Sequence, residues 1–72
     1  MKSFEIQLSA NRFLIEPQEN GTFRIMEGEK KLGVVYPEPG DDGVIWQTMD
    51  ELAPDFVSQI GELITEFQHQ NS

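Results

Sequence analysis

The sequence predicts an α+β fold, a five-stranded antiparallel meander sheet with one C-terminal helix packed across one face. Up to residue 48, short runs alternate apolar with polar residues, which is the period of a half-buried strand. From Pro54 onward the apolar spacing changes to that of a helix. The connections between the runs are short, so successive strands are expected to be neighbours. All 72 residues, 1–72, are expected to form a single domain.

The predicted strands cover residues 3–8, 12–16, 22–27, 31–36 and 44–48. Asn11 in the first connector tolerates left-handed turn geometry, and Asn20-Gly21 is a strong hairpin signal. Pro17 should end the second strand because it has no N–H for a ladder. Period two assigns these side chains to the inner face: Phe4, Ile6, Leu8, Phe13, Ile15, Phe23, Ile25, Leu32, Val34, Tyr36, Val44 and Trp46.

The helix is predicted over residues 54–69, with Leu52 in a short preceding turn that dips into the core. Pro54 suits the first helical position, and Asp55 in the first turn complements the helix dipole. Gly61 lies on the buried side, which suggests a close approach to the sheet. The apolar stripe consists of Phe56, Val57, Ile60, Leu63, Ile64 and Phe67.

The proline- and glycine-rich stretch 37–43 reads as a loop between the last two strands. A partner contact is an alternative. A calcium site is a second alternative, but the alternating acids, central glycine and distal glutamate of an EF-hand loop are absent. Trp46 is assigned to the core rather than to a ligand-stacking role. His69, near the helix end, is read as a surface residue at the negative end of the dipole.

One helix covers only one face of the sheet, so the side chains that point away from the helix are expected to form a second surface. A solvated sheet face should be mostly polar, yet four predicted strands each contribute an apolar residue here. These residues read either as scattered surface side chains or as an apolar band rimmed by charge, which marks an interaction site. The candidate interface consists of Leu14, Arg24, Met26, Val35 and Ile45.

Charge is distributed unequally along the chain. Residues 1–31 contain five acids and five bases, whereas residues 32–72 contain eight acids and no lysine or arginine, so the whole net charge of −8 comes from the second part. This field repels nucleic acid and membrane surfaces of like charge and attracts basic proteins, or it serves solubility alone. The candidate acidic surface consists of Glu38, Asp41, Asp42, Asp50, Glu51 and Asp55.

The residue inventory argues against an enzyme. There is no cysteine and a single histidine, so a thiolate metal site is excluded and a nucleophile–base pair lacks support. We therefore assign no catalytic residue, no metal ligand and no cofactor. No signal peptide and no membrane span is visible, so a cytoplasmic location is expected.

Three sequence features together resemble small uncharacterised bacterial proteins of about this length: "KLGVVYP" at 31–37, the single Trp46, and "IGELI" at 60–64. The resemblance implies a fold and a bacterial source, and no activity.

The sequence thus favours a non-enzymatic protein-interaction module that acts through the uncovered sheet face and the acidic C-terminal half. Its partner would be a second copy, giving a homodimer, or a basic protein. The alternative is an acidic nucleic-acid mimic that binds a basic DNA-binding protein.

Overall fold

The computed structural model describes residues 2–70, which form one sheet and one helix. The strands are β1 (Phe4–Leu8), β2 (Asn11–Pro17), β3 (Phe23–Glu27), β4 (Lys30–Gly40) and β5 (Gly43–Thr48), and the helix is α1 (Pro54–Gln70). Each strand is antiparallel to its neighbour in the order β1-β2-β3-β4-β5. The predicted α+β meander is therefore confirmed. No described helix is long and apolar enough to cross a membrane.

The core lies between the inner face of the sheet and α1. Two aromatic pairs join the helix to the first hairpin: Phe67 stacks on Phe4 with ring centroids 4.0 Å apart, and Phe56 meets the Phe13 ring edge-on at 5.4 Å. Burying one such large apolar side chain contributes about 1.5–3 kcal/mol. The buried apolar residues are Ile6, Phe13, Ile15, Phe23, Ile25, Val35, Val57, Ile60 and Ile64.

The first hairpin turns at Ser9 rather than at Asn11. Leu8 pairs with Asn11, so Ser9 and Ala10 form the two-residue loop, and Ser9 has a φ of 56°. The predicted hairpin is present, and the residue with left-handed geometry in its connector is Ser9 and not Asn11. The residue with positive φ in this turn is a serine, whose side chain is sterically strained in that conformation.

A β-bulge interrupts β4. Ile25 pairs with Gly33 and the next residue, Met26, pairs with Lys31, so Leu32 has no partner in β3. Leu32 packs against the core and Gly33 is also buried. Two consecutive residues of β4 therefore contribute to the inner face, as a bulge requires.

The bulge reverses the predicted parity of the rest of β4. Val35 is 0% exposed and belongs to the core, whereas it was predicted on the uncovered face. Val34 and Tyr36, which were predicted to point inward, take the opposite parity and are only partly buried. The alternation predicted from Leu32 has the correct period of two residues. It assigns the later side chains to the wrong faces, because Leu32 is an extra residue inserted in β4.

The stretch that reads as a loop is mostly strand. β4 continues to Gly40, which pairs with Gly43, so only Asp41 and Asp42 form the connection. Pro37 and Pro39 are paired positions within this extension. The extension is possible because the sheet needs no N–H from these two residues.

The direction of the Val34 N–H and C=O shows why the sheet needs no N–H from Pro37 and Pro39. The Val34 N–H donates to Asp50 Oδ2 at 2.8 Å, and the Val34 carbonyl accepts from Thr48 Oγ1 at 2.7 Å, so both groups point to the β5 side. Backbone groups of consecutive residues in a strand point to opposite sides. The positions of Pro37 and Pro39 therefore point away from β5, beyond the end of β3, where no ladder bond is lost.

The helix is one residue longer than predicted and begins at Pro54 as expected. Leu52 packs against the core from the preceding segment, as predicted, and its N–H donates to the Asp50 carbonyl at 3.0 Å. The first helical bond runs from the Val57 N–H to the Ala53 carbonyl at 3.0 Å, so Ala53 occupies the N-cap position without a capping side chain.

Candidate protein-interaction site

Two of the predicted interface residues are neighbours on the uncovered face of the sheet. Leu14 in β2 pairs directly with Met26 in β3, and both side chains are partly buried. The row continues to Lys31 of β4, opposite Met26, and Glu5 of β1, opposite Leu14. This apolar pair is thus flanked by charge on both sides.

Arg24 is engaged within the protein. Its Nη1 lies 3.3 Å from Glu16 Oε1 on the neighbouring strand. The contact is an ion pair without hydrogen-bond geometry, and Glu16 Oε1 is buried without a hydrogen-bond partner. With the Gln18 amide turned so that its oxygen faces the guanidinium, that oxygen accepts from Arg24 Nε at 3.2 Å and from Nη2 at 3.1 Å. Arg24 therefore acts mainly as a cross-strand partner.

The five predicted interface residues do not form one band. Val35 is removed from the surface by the bulge. Ile45 is 52% exposed, but it pairs with Glu38, whereas the row of Met26 meets β4 at Lys31. The distance along β4 from Lys31 to Glu38 separates Ile45 from the apolar pair. The predicted register was wrong here because β4 extends beyond β3.

The most exposed large apolar side chains of residues 2–70 lie on or just after β5. Val44 is 61% exposed, Ile45 is 52% exposed and Met49 is 91% exposed. Val44 shares the parity of Trp46 on the helix side, and Ile45 faces the other side. Sequence reasoning missed Val44 and Met49 as surface residues, because alternation assigns a side chain to one side of the sheet but does not show how much of that side the helix covers.

A groove of about 630 Å³ is lined by both edge strands and by α1. Val44 and Trp46 line it from β5, Leu8 lines it from β1, and α1 supplies both apolar and acidic side chains. Trp46 also contacts the core, with its ring 5.6 Å from Phe23, so one wall of the groove is rigidly held. The helical side chains that matter for its chemistry are Glu62, Leu63, Thr65 and Glu66.

Acidic residues bracket β5 at both ends. Asp41 and Asp42 form the exposed turn that leads into the strand, and Asp50 and Glu51 follow its end. Two further members of the predicted acidic surface are exposed nearby, Glu38 opposite Ile45 and Asp55 in the first turn of α1. The predicted acidic surface thus surrounds one strand.

Asp50 has a structural role in addition to its charge. It accepts the Val34 N–H, and its own N–H donates to Thr48 Oγ1 at 3.1 Å. These bonds complete the end of the β4–β5 ladder after β5 stops. Asp50 therefore fixes the acidic segment next to the strand.

The unequal charge of the sequence follows the order of the strands. After residue 31 there is no lysine or arginine, and this part of the chain comprises most of β4, all of β5 and α1. Arg12 and Arg24 lie on β2 and β3, whereas Lys30 and Lys31 begin β4, the strand that pairs with β5. Basic side chains are therefore absent from β5 and α1 but present at the start of the strand next to β5.

Within the described range no group of three or more carboxylate or histidine side chains is arranged to hold a metal ion. His69 is exposed in the last turn of α1. No protein-family model, curated protein or solved structure matches the chain.

Proposed function

We propose that the protein is a non-enzymatic interaction module that binds a basic protein through β5. The β5 surface consists of the exposed apolar residues Val44, Ile45 and Met49 and the acids Asp41, Asp42, Asp50 and Glu51. The observation that carries the proposal is the coincidence of these two features on one edge strand. Exposed apolar patches with a charged rim are typical of interaction sites.

The two kinds of residue have different roles in this proposal. Acids on the rim steer a basic partner and select it, but exposed ion pairs each contribute only about 0.2–1 kcal/mol. Most of the affinity must then come from burying the apolar side chains, at about 25 cal/mol per Å². A basic protein that presents apolar residues between its charges fits both requirements.

A charge-neutralised variant tests the proposal with a matched control. The β5-side variant carries Asp41→Asn and Asp42→Asn, together with Glu62→Gln and Glu66→Gln, the two acids that α1 adds to the rim where the groove lies beside Val44 and Trp46. The control carries Glu5→Gln, Glu19→Gln, Glu27→Gln and Glu29→Gln, the same charge change in the first part of the chain. The probe is a fluorescent synthetic peptide in which lysine and valine alternate over about ten residues, a length that matches long strands.

We expect the β5-side variant to bind the peptide about tenfold more weakly, since four rim contacts of a few tenths of a kcal/mol add up to that factor. The control variant should change the affinity by less than about threefold. Equal loss in both variants would mean that only net charge matters, and failure of the unmodified protein to bind would remove the proposal.

A homodimer through the uncovered face is a second candidate, supported by the direct pairing of Leu14 with Met26. Val34 occupies the outward position next to Arg24 and extends this apolar surface on β4. Replacing Leu14 and Met26 together by lysine should then convert a dimer to a monomer without unfolding the chain. A monomeric mass for the unmodified protein excludes this candidate and leaves the β5 proposal intact.

A further inference from the structure

We infer that the partner binds by strand addition: an extended basic segment of another protein pairs with the free edge of β5 and becomes a sixth strand. The inference rests on the proposed function and adds the way in which the partner is recognised. Main-chain hydrogen bonds would supply affinity, and alternate side chains would supply specificity.

The first argument is the direction of the β5 backbone. Val34 directs its N–H and C=O toward β5, so Tyr36 and Glu38 do the same and bond to their partners Gln47 and Ile45. The residues of β5 that alternate with Ile45 and Gln47 must direct their N–H and C=O groups away from β4, to the free edge of the sheet. The residues with these outward-pointing backbone groups are Val44, Trp46 and Thr48.

These outward groups are not used inside the protein. Across residues 2–70, no backbone bond outside the strand ladders and no side-chain bond involves the N–H or C=O of Val44, Trp46 or Thr48. They therefore present a row of three donors and three acceptors along the edge. An added strand satisfies such a row without any rearrangement of the sheet.

The second argument is the lack of protection on this edge. Proteins block exposed strand edges with prolines, charged side chains or short strands. The part of β4 that extends past β3 is blocked by Pro37 and Pro39, and β1, the other edge strand, carries Glu5. β5 contains neither proline nor a charged residue. An apolar edge without such protection, in a protein whose other edges are protected, indicates that a strand of a partner pairs with this edge when the protein functions.

The third argument concerns the side chains that an added strand would meet. Its residues would alternate between the helix side, where the groove beside Val44 and Trp46 lies, and the other side, where Ile45 is exposed. At both ends it would meet acids, Asp41 and Asp42 or Asp50 and Glu51. The matching segment is extended, apolar at alternate positions and basic elsewhere.

The same charges argue against a second copy of this chain. If β5 paired antiparallel with β5 of another copy, the Asp41–Asp42 turn of one copy would approach Asp50 and Glu51 of the other. A parallel arrangement would bring identical acids together. Like charges placed opposite each other in a sheet are destabilising, and residues 32–72 contain no lysine or arginine to compensate.

Backbone N-methylation of the lysine–valine peptide tests strand addition directly. An extended peptide directs the amides of consecutive residues to opposite edges, so all valine amides face one edge and all lysine amides the other. One peptide is methylated on the valine amides and a second on the lysine amides, so both keep every side chain and charge. We expect one of the two to lose at least about tenfold in affinity, since several hydrogen bonds are lost together, and the other to bind nearly as well as the parent.

Two protein variants complete the test. Val44→Pro removes one outward N–H and should weaken binding of the parent peptide about tenfold, whereas Val44→Thr keeps the N–H and should change it little. Circular dichroism and the melting temperature of each variant show that it is folded. Leu14→Lys with Met26→Lys, on the uncovered face, should leave the affinity unchanged.

The outcomes separate this inference from the proposed function. Equal binding of both methylated peptides, with the acid dependence intact, would overturn strand addition and leave a basic-protein module. Loss of binding in the Leu14→Lys, Met26→Lys variant alone would move the site to the uncovered face and overturn the inference. Peptide-independent self-association that Val44→Pro abolishes would mean that the edge pairs with a second copy, and would overturn the inference as well. If no lysine–valine peptide binds at any salt concentration, the proposed function itself fails.

Discussion

Gly61 of α1 lies directly against the indole ring of Trp46 in β5. A methyl group built at Gly61 would overlap the Cγ, Cδ1 and Cδ2 atoms of that ring. The absence of a side chain therefore allows the helix backbone to approach β5 closely. Because Trp46 also forms one wall of the groove, this contact fixes the edge strand against the helix.

Gly61→Ala should destabilise the protein although alanine favours a helix by about 1 kcal/mol over glycine. Forcing the bulky indole aside should cost more than this gain, with a net loss of about 1–3 kcal/mol in the free energy of unfolding by urea. In a Trp46→Leu background the same change should be neutral or stabilising. The same loss in both backgrounds would show that the indole does not cause the effect.

Val35→Ala should lower the free energy of unfolding by about 1–3 kcal/mol, because Val35 is completely buried. Val34→Ala is the matched control, with the same change one residue earlier on the opposite face, and should cost less than about 1 kcal/mol. Denaturant unfolding of the two variants shows which of the two side chains faces the core after the bulge. A larger cost at Val34 would place the strand in the phase without a bulge.

Ser9→Gly should stabilise the protein by about 0.5–1 kcal/mol. Ser9 has a φ of 56°, where a side chain is strained and glycine is not. Ala10→Gly in the same loop is the control and should destabilise, since it adds freedom to the unfolded chain without relieving strain. Thermal unfolding of both variants checks the difference, and equal effects would contradict the assigned turn geometry.

Ala53→Ser should stabilise α1 by about 1 kcal/mol, because a serine hydroxyl at the N-cap accepts a free N–H of the first turn. Ala53 is exposed, so the hydroxyl fits without repacking. Ala53→Val, which has no acceptor, is the control and should give no gain. A melting temperature that rises equally in both variants would mean that Ala53 is not the cap.

The sequence was sufficient for the strand order and for the contact of Gly61 with the sheet, because both follow from local period and composition. It was insufficient at Leu32, where one inserted residue reverses the phase without changing the apolar pattern. It was also misleading at Pro37 and Pro39, which normally indicate a loop. Their inclusion in β4 depends on which neighbour the backbone faces, and this is a property of the sheet.

The candidate site, too, could be predicted from the sequence only in part. The acidic surface could be predicted because charge is read from composition, and the apolar pair Leu14 and Met26 because short turns fix their register. The exposure of Val44 and Met49 could not be predicted, since it depends on how much of the end of the sheet is covered by α1. Val35 was assigned to the interface only because the bulge was not visible.

Amide hydrogen exchange with and without the lysine–valine peptide tests the central claim most directly. In the free protein, the amides of Ile45 and Gln47 should be protected by β4, whereas those of Val44, Trp46 and Thr48 should exchange quickly. Saturating peptide should protect these three outward amides and change the other two little. Outward amides that still exchange quickly when the peptide is fully bound would contradict strand addition at β5.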